Sequence, residues 1–229
     1  MNHAGELQTA RSSARLGLTL RLVLLAPGQG FESALMGAER RDRAAQRPAE
    51  GYAPYLLAAV GGAALFLMWL KIGALSGLRD EASYRLVYLV MALGLGAILG
   101  LVAQALWGLT GGRLFESHRA TPRNLRLVWG LAAFPNVVTL SVLLPLDLVV
   151  VGPAGYTAAR LADPVATAWA AFSIALGVAF AVWSAYLFVR GVRVAAESRL
   201  SRLIVAQLLA LAILVLAFAP PIAASRLTT

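Results

Sequence analysis

The sequence predicts an all-α polytopic membrane protein with five transmembrane helices and an N-terminal cytoplasmic amphipathic segment. Its composition indicates this class, since 59% of the 229 residues are hydrophobic and only 14% are charged. Soluble domains are about 45–50% apolar and about 25% charged. The mean hydropathy of +0.74 agrees. The third observation is a series of five apolar runs, each as long as the roughly 20 helical residues that cross a bilayer.

The five runs are interpreted as helices because a backbone in lipid must satisfy its hydrogen bonds internally. The first run begins just after residue 50, which divides the chain into two regions. Residues 1–50 form the cytoplasmic N-terminal segment, and residues 51–229 form the transmembrane bundle. The predicted spans cover residues 53–75, 86–109, 127–151, 165–189 and 203–223.

The N-terminal segment is predicted to contain two short helices, over residues 14–25 and 31–43. A turn at Pro27, Gly28 and Gly30 separates them. Their mixture of apolar and basic residues is typical of helices that lie on a membrane surface. Each basic residue near anionic lipid gains about 1 kcal/mol there. The alternative is a solvated, partly disordered tail.

The basic residues predict the orientation of the spans. Of the 20 basic residues, 15 lie in the N-terminal segment and in the second and fourth loops, on one side of an alternating chain. The positive-inside rule then puts the N-terminus in the cytoplasm and the C-terminus outside a bacterial inner membrane. The net charge of +9 is attributed to this orientation, and no nucleic-acid partner is predicted. Candidate contacts with lipid or partners are Arg40, Arg41, Arg43, Arg47, Arg123, Arg126 and Arg193.

Catalytic and metal-binding motifs are missing from the sequence. The chain has no cysteine, which excludes disulfides, thiolate metal sites and cysteine nucleophiles. Common nucleotide-binding, metalloprotease and serine-hydrolase motifs are absent as well. Glu116 and His118 lie close together in the second loop, but a metal site needs three or four ligands. We therefore predict a non-enzymatic protein without catalytic residues, metal or cofactor.

Polar residues inside the predicted spans are functional candidates by default. One interpretation is a polar pathway or a small-ligand site in the bundle. The other is interhelical hydrogen bonding, worth about 0.6 kcal/mol on average. Lys71, at the end of the first span, is expected to extend its ammonium to the interface, and Asp147 is expected near the outer interface. The polar candidates are Gln104, Asn136, Asp147 and Gln207.

The third span is irregular, because Pro135 and Pro145 each remove a backbone donor. Broken helices line the sites of many transporters. A span that is kinked for structural reasons is the alternative.

Glycines in the second span predict close helix packing. Gly96 and Gly100 form a GxxxG motif, and Gly94 and Gly108 extend the row of small residues. Such a face lets another helix approach closely, either within the chain or in a dimer.

Several stretches resemble bacterial Yip1-domain proteins. Residues 24–32 resemble the short opening of that family, in which a proline precedes a phenylalanine. Residues 129–135 resemble its proline-bearing helix, and Pro220-Pro221 would close the last span. The matching positions at the end of the fourth span are Trp183, Leu187, Gly191 and Arg193.

The resemblance covers residues 20–224 and implies a five-span fold and a membrane address. Eukaryotic members of the family act in vesicle traffic between endoplasmic reticulum and Golgi and bind small GTPases. For bacterial members the resemblance implies no reaction and no active-site residues.

Together these observations lead us to expect a non-enzymatic scaffold, assembly factor or accessory subunit of a membrane complex. Its expected partners are membrane lipids and other membrane protein subunits or a second copy of the chain. The alternative is a small-molecule transporter or channel that uses the broken third span, with Asn136 and Asp147 at its site.

Overall fold

The structure is a computed structural model that describes residues 17–45, 52–75, 85–115, 117, 119–157, 163–196 and 205–213. All regular structure in these residues is helical. The helices are α1 over 17–25, α2 Pro27–Ala45, α3 Ala53–Leu75, α4 Arg85–Leu114, α5 Pro122–Ala132, α6 Phe134–Val150, α7 Ala154–Thr157, α8 Pro164–Ala196 and α9 over 205–213.

Among the described residues, four helical stretches are long and apolar enough to cross a membrane. They are Ala53–Gly73, Leu86–Leu114, Pro122–Val150 and Pro164–Ala196. The first four predicted spans therefore correspond to helices, although the third starts earlier and the fourth ends later than predicted. The fifth predicted span, 203–223, lies mostly outside the described residues, and only 205–213 are described, as helix.

The outer face of α4 shows why these helices suit a lipid environment. Val90 and Met91 are 67% and 68% exposed, and Ile98 and Leu109 are also exposed. A soluble monomer rarely exposes an apolar surface that runs along a whole helix. In a bilayer the same surface contacts acyl chains at no cost, because lipid tails are as apolar as these side chains.

Helix α3 is central to the bundle and contacts α4, α5, α6, α7 and α8. Its closest neighbour is α4, where Gly62 faces Gly96 and Gly100. A Cβ added to Gly62 would lie 2.6 Å from the Cα of Gly100, and one added to Gly96 would lie 2.8 Å from the Cα of Ala63. The GxxxG motif is thus used inside the chain, with α3 as its partner. Gly94 does not belong to this face, since a Cβ there would meet nothing within 4 Å.

The third span is two helices, α5 and α6, that meet at Ala133. Pro135 has no N–H, and the N–H of Asn136 donates to the carbonyl of Ala133, at 3.0 Å, instead of to that of Ala132. The helical ladder is therefore interrupted, as expected at a proline. Pro145 also lacks an N–H, but α6 continues through it. The predicted break of the third span occurs at the first proline only.

Helix α6 ends in a tight turn that brings the chain back onto the bundle. Gly152 has φ +69°, a left-handed conformation that glycine adopts without steric cost. Its N–H donates to the carbonyl of Asp147 at 3.1 Å, which closes the last turn of the helix. The turn leads directly into α7, and Tyr156 of α7 is buried.

The N-terminal helices α1 and α2 meet at a bend at Ala26. Pro27 is the first residue of α2, where its missing N–H costs nothing. The predicted turn at Pro27, Gly28 and Gly30 is therefore wrong for both glycines, which lie inside α2. Gly30 has a different role, since a Cβ there would lie 2.7 Å from the carbonyl carbon of Leu22 and would block the bend.

Helix α5 begins with a side-chain cap, and its removal should destabilise the fold moderately. The Thr121 hydroxyl accepts the N–H of Asn124 at 3.2 Å, and Pro122 follows at the first helical position. We expect Thr121→Ala to lower the free energy of unfolding by about 1 kcal/mol, the usual cost of losing such a cap. A detergent-unfolding titration in mixed micelles measures it.

The matched control is Thr110→Ala. The Thr110 hydroxyl donates to the Leu106 carbonyl of its own helix, at 2.7 Å, and caps nothing. Its loss should change stability little, because that carbonyl is already engaged in the helix. Equal effects of the two substitutions would contradict the capping role.

Candidate functional site

The first candidate site is a charge pair buried between the ends of two spans. Lys71 lies one turn before the end of α3, and Asp147 lies in the last turn of α6. The Lys71 ammonium donates to Asp147 Oδ2, and the two residues are only 4% and 2% exposed. An ion pair this deep is favourable only when further hydrogen bonds satisfy both partners.

Those further hydrogen bonds are present. Asp147 accepts the Tyr156 hydroxyl at 2.6 Å and the indole N–H of Trp169 at 2.8 Å. Lys71 also donates to the Ser173 hydroxyl at 2.6 Å. Its ammonium lies 5.1 Å from the centre of the Tyr156 ring, within the range of a cation–π interaction. The network joins α3, α6, α7 and α8.

Tyr156 serves this network as a hydrogen-bond donor. Burial raises the pKa of its phenol above the ordinary value, and the hydrogen bond to the Asp147 carboxylate raises it further. The phenol is therefore protonated at any physiological pH. A cavity of about 30 Å³ lies beside the pair, which exceeds the roughly 10–15 Å³ that a water molecule needs.

One sequence-based expectation is wrong here. Lys71 does not extend to the interface, because it is buried against Asp147. Asp147 lies in the last turn of α6, near the end of its span, and its carboxylate is buried. The pair is separated by 76 residues, so no local pattern connects the two. One signal was available, since spans one and three both end on the same predicted side, with Lys71 and Asp147 near those ends.

The second candidate site is at the break in the third span. The Ala132 carbonyl, released from the helical ladder, accepts the Ser184 hydroxyl of α8 at 2.6 Å. The Asn136 amide in turn donates to the Ser184 oxygen at 3.3 Å. Helix α8 thus replaces the hydrogen bond that the proline break removes, as membrane helices require.

A cavity of about 350 Å³ lies beside this break. Its wall is mainly apolar and includes Met68, Trp129, Val178 and Phe188. Its polar lining residues are Asn136, Ser184 and Gln207. The Gln207 carbonyl oxygen Oε1 is buried without a hydrogen-bond partner. Small-molecule sites are typically apolar clefts of about 300–1,000 Å³ with a few polar groups, and the cavity has these properties.

Two of the four polar candidates, Asn136 and Gln207, thus line one cavity. Asp147 lines the other, smaller one beside Lys71. Gln104 lies apart from both and makes interhelical hydrogen bonds, donating to the carbonyls of Pro54 at 3.1 Å and Arg126 at 2.9 Å. The sequence suggested a transport site that contains both Asn136 and Asp147. In the structure these two residues line different cavities.

The predicted basic contacts lie partly within the described residues. The Arg126 side chain donates to the Pro122 carbonyl at 3.3 Å, and its guanidinium lies 5.9 Å from the centre of the Tyr55 ring. Arg123 and Arg193 are half-buried and exposed, respectively. The positions of Arg47, Glu116 and His118 lie outside the described residues, as do the side chains of Arg40, Arg41 and Arg43.

Metal binding has no candidate in the described part of the chain, where no three His, Asp or Glu side chains come together. Comparison of the chain with protein-family models, with curated proteins and with solved structures gives no match. The similarity to Yip1-domain proteins stays a prediction, and the structure itself shows a helical chain with four apolar helices of membrane-spanning length.

Proposed function

We propose that the protein is a non-enzymatic, Yip1-like membrane protein that acts by binding, as a scaffold, assembly factor or accessory subunit of a membrane complex. It would lie in a bacterial inner membrane with its N-terminus in the cytoplasm and its C-terminus outside. The observation that supports this proposal is a pair of N-terminal helices that is held on the bundle by one face and exposes apolar residues on the other.

The buried face of these helices fixes them to the end of α8. Phe31 is completely buried, and a Cβ at Gly191 would lie 2.8 Å from its ring and 2.6 Å from Val128. Val23 and Leu35 are buried as well. Because Gly191 has no side chain, the Phe31 ring packs directly against α8. This contact gives α2 a defined position relative to the spans.

The opposite face carries large apolar side chains. Leu18, Leu25 and Met36 are 60%, 74% and 41% exposed, although α1 and α2 are not among the apolar candidate spans. Exposed apolar residues that are rimmed by charge are typical of interaction sites. At this position they would enter the headgroup region or contact another membrane protein.

The same end of the bundle gathers the basic regions. Glu39 of α2 lies 3.8 Å from Arg119 of the second loop, and Phe31 reaches the end of α8 close to Arg190 and Arg193. The described part of the N-terminal segment, the second loop and the C-terminal end of α8 therefore lie at one end of the bundle. Their excess of arginine supports a cytoplasmic location of that end.

The decisive experiment compares two double variants of the full chain. Leu25→Glu with Met36→Glu removes two of the three exposed apolar side chains, and Gln29→Glu with Ser33→Glu adds the same charge at exposed polar positions of α2. After mild detergent extraction, mass spectrometry quantifies the proteins and lipids that copurify. We expect the first variant to lose a stoichiometric partner or bound anionic lipid at least several-fold and the second to retain it. Wild-type protein that is recovered alone, with no partner and no lipid preference, would overturn the proposal.

A second candidate function is favoured by the cavity at the broken third span. A small molecule bound there would make the protein a carrier or transporter, which is the alternative function inferred from the sequence. Asn136 would contact that molecule, whereas Asp147 would not, because it is occupied by Lys71, Tyr156 and Trp169.

A further inference from the structure

We propose that the 350 Å³ cavity binds a single hydrocarbon chain of a membrane amphiphile, with a hydrogen-bond donor of its polar end on Gln207. The inference rests on the second candidate function for the location of the site and adds the class of ligand. It needs neither transport nor a protein partner, so the scaffold proposal and this one can fail separately.

The shape of the cavity argues for a chain. Lining residues extend from Ala58 to Met68 on α3 and from Val178 to Phe188 on α8. Ten helical residues rise about 15 Å, so the cavity is elongated parallel to the spans. A volume of about 350 Å³ over that length is narrow. An acyl or alkyl chain has this shape, whereas a compact polar metabolite does not.

The lining of the cavity argues for hydrocarbon along most of its length. The wall consists mainly of leucine, methionine, valine, alanine and aromatic residues. It includes Leu65, Met68, Val178 and Val182. All four lie within apolar candidate spans. A molecule that reaches the cavity from the bilayer is already dissolved in hydrocarbon, and an apolar chain pays no desolvation cost on entry.

The polar atoms place the head of the ligand. Asn136 and Ser184 already hydrogen-bond each other and the Ala132 carbonyl. Gln207 Oε1 has no partner, and a buried acceptor without one carries an uncompensated desolvation cost. A hydroxyl or amine at the head of the amphiphile would supply the missing donor.

The test uses the purified full chain in lipid nanodiscs and two photoreactive probes. One is a diazirine-bearing hexadecanol, and the other is its methyl ether, which keeps the chain and the acceptor but has no donor. We expect saturable crosslinking of hexadecanol to residues of α3 and α8 that line the cavity. Labelling confined to lipid-facing residues such as Val90 and Met91, or labelling that does not saturate, would overturn the proposal.

Matched alanines on α8 test whether the cavity is the site. Ala181 lines the cavity, and Ala179 is exposed on the opposite side of the same helix. Ala181→Phe should abolish saturable labelling, and Ala179→Phe should leave it unchanged. Ala185→Leu is a second cavity-filling variant if Ala181→Phe does not fold, as judged by its melting temperature. Equal labelling of folded cavity-filled and control variants would refute the assignment.

Gln207→Leu tests the position of the head. It should weaken hexadecanol binding by about two- to tenfold, the factor that corresponds to one neutral hydrogen bond, and should leave binding of the methyl ether unchanged. An equal loss for both probes would overturn the role of Gln207 as the acceptor. The readout requires no partner protein, so a negative result here leaves the copurification test of the scaffold proposal intact.

Discussion

Replacing Lys71 by methionine is expected to destabilise the protein strongly. The substitution leaves the Asp147 carboxylate buried without its counter-ion. Removing one partner of a buried pair typically costs about 3–5 kcal/mol. Unfolding titrations in mixed micelles, followed by helix content, should show this loss for Lys71→Met.

The double variant Lys71→Met with Asp147→Leu distinguishes charge from packing. It removes both charges and should recover part of the loss, because apolar pairs of similar volume often replace buried ion pairs without cost. Recovery is incomplete, since Tyr156 and Trp169 lose their shared acceptor. Arg193→Met is the control, a basic residue that is exposed at the end of α8 and should matter little. A double variant that is less stable than Lys71→Met would contradict the importance of the pair.

Introducing a side chain at Gly100 should separate α3 from α4. A Cβ there would clash with the Ala58 carbonyl oxygen and lie 2.9 Å from the Cα of Gly62. Both contacts are with backbone, which cannot rotate away as a flexible side chain can. Overpacking usually costs about 1–3 kcal/mol and more where backbone must move, so Gly100→Leu should cost at least about 3 kcal/mol. The measurement is the same unfolding titration.

Gly94→Leu provides the control on the same helix. A Cβ at Gly94 meets nothing within 4 Å, and the residue is exposed. The substitution should be neutral or slightly stabilising, because leucine is a better helix former than glycine. If both variants were equally stable, or equally destabilised, the packing of α3 on α4 through Gly100 would be refuted.

Hydropathy was sufficient to locate the apolar helices, and the reason is physical. Residues 53–75 were predicted as the first span, and α3 covers Ala53–Leu75. A span in lipid must be a continuous apolar helix, so its residues are consecutive in the sequence and can be recognised there. The break at Pro135 could be predicted for the same reason, because the missing N–H is a local property.

The rotation of each helix about its axis could not be predicted in this way. Gly94 and Gly100 look equivalent in sequence, yet only Gly100 faces α3. Lys71 and Asp147 meet because the ends of α3 and α6 pack together, which no pattern within either span specifies. Uniformly apolar helices carry little information about which face is turned inward, so pairwise contacts need the folded chain.

The Lys71–Asp147 pair also constrains how the chain enters the membrane during synthesis. Asp147 follows Lys71 by 76 residues, which at about 5–20 residues per second is a delay of roughly 4–15 seconds. Throughout that interval the first span holds an ammonium without a counter-ion, and its long stem can carry the charge to the interface. The two charges are neutralised only when the third span inserts. The first span is therefore expected to complete its packing at Lys71 only after the third span has inserted.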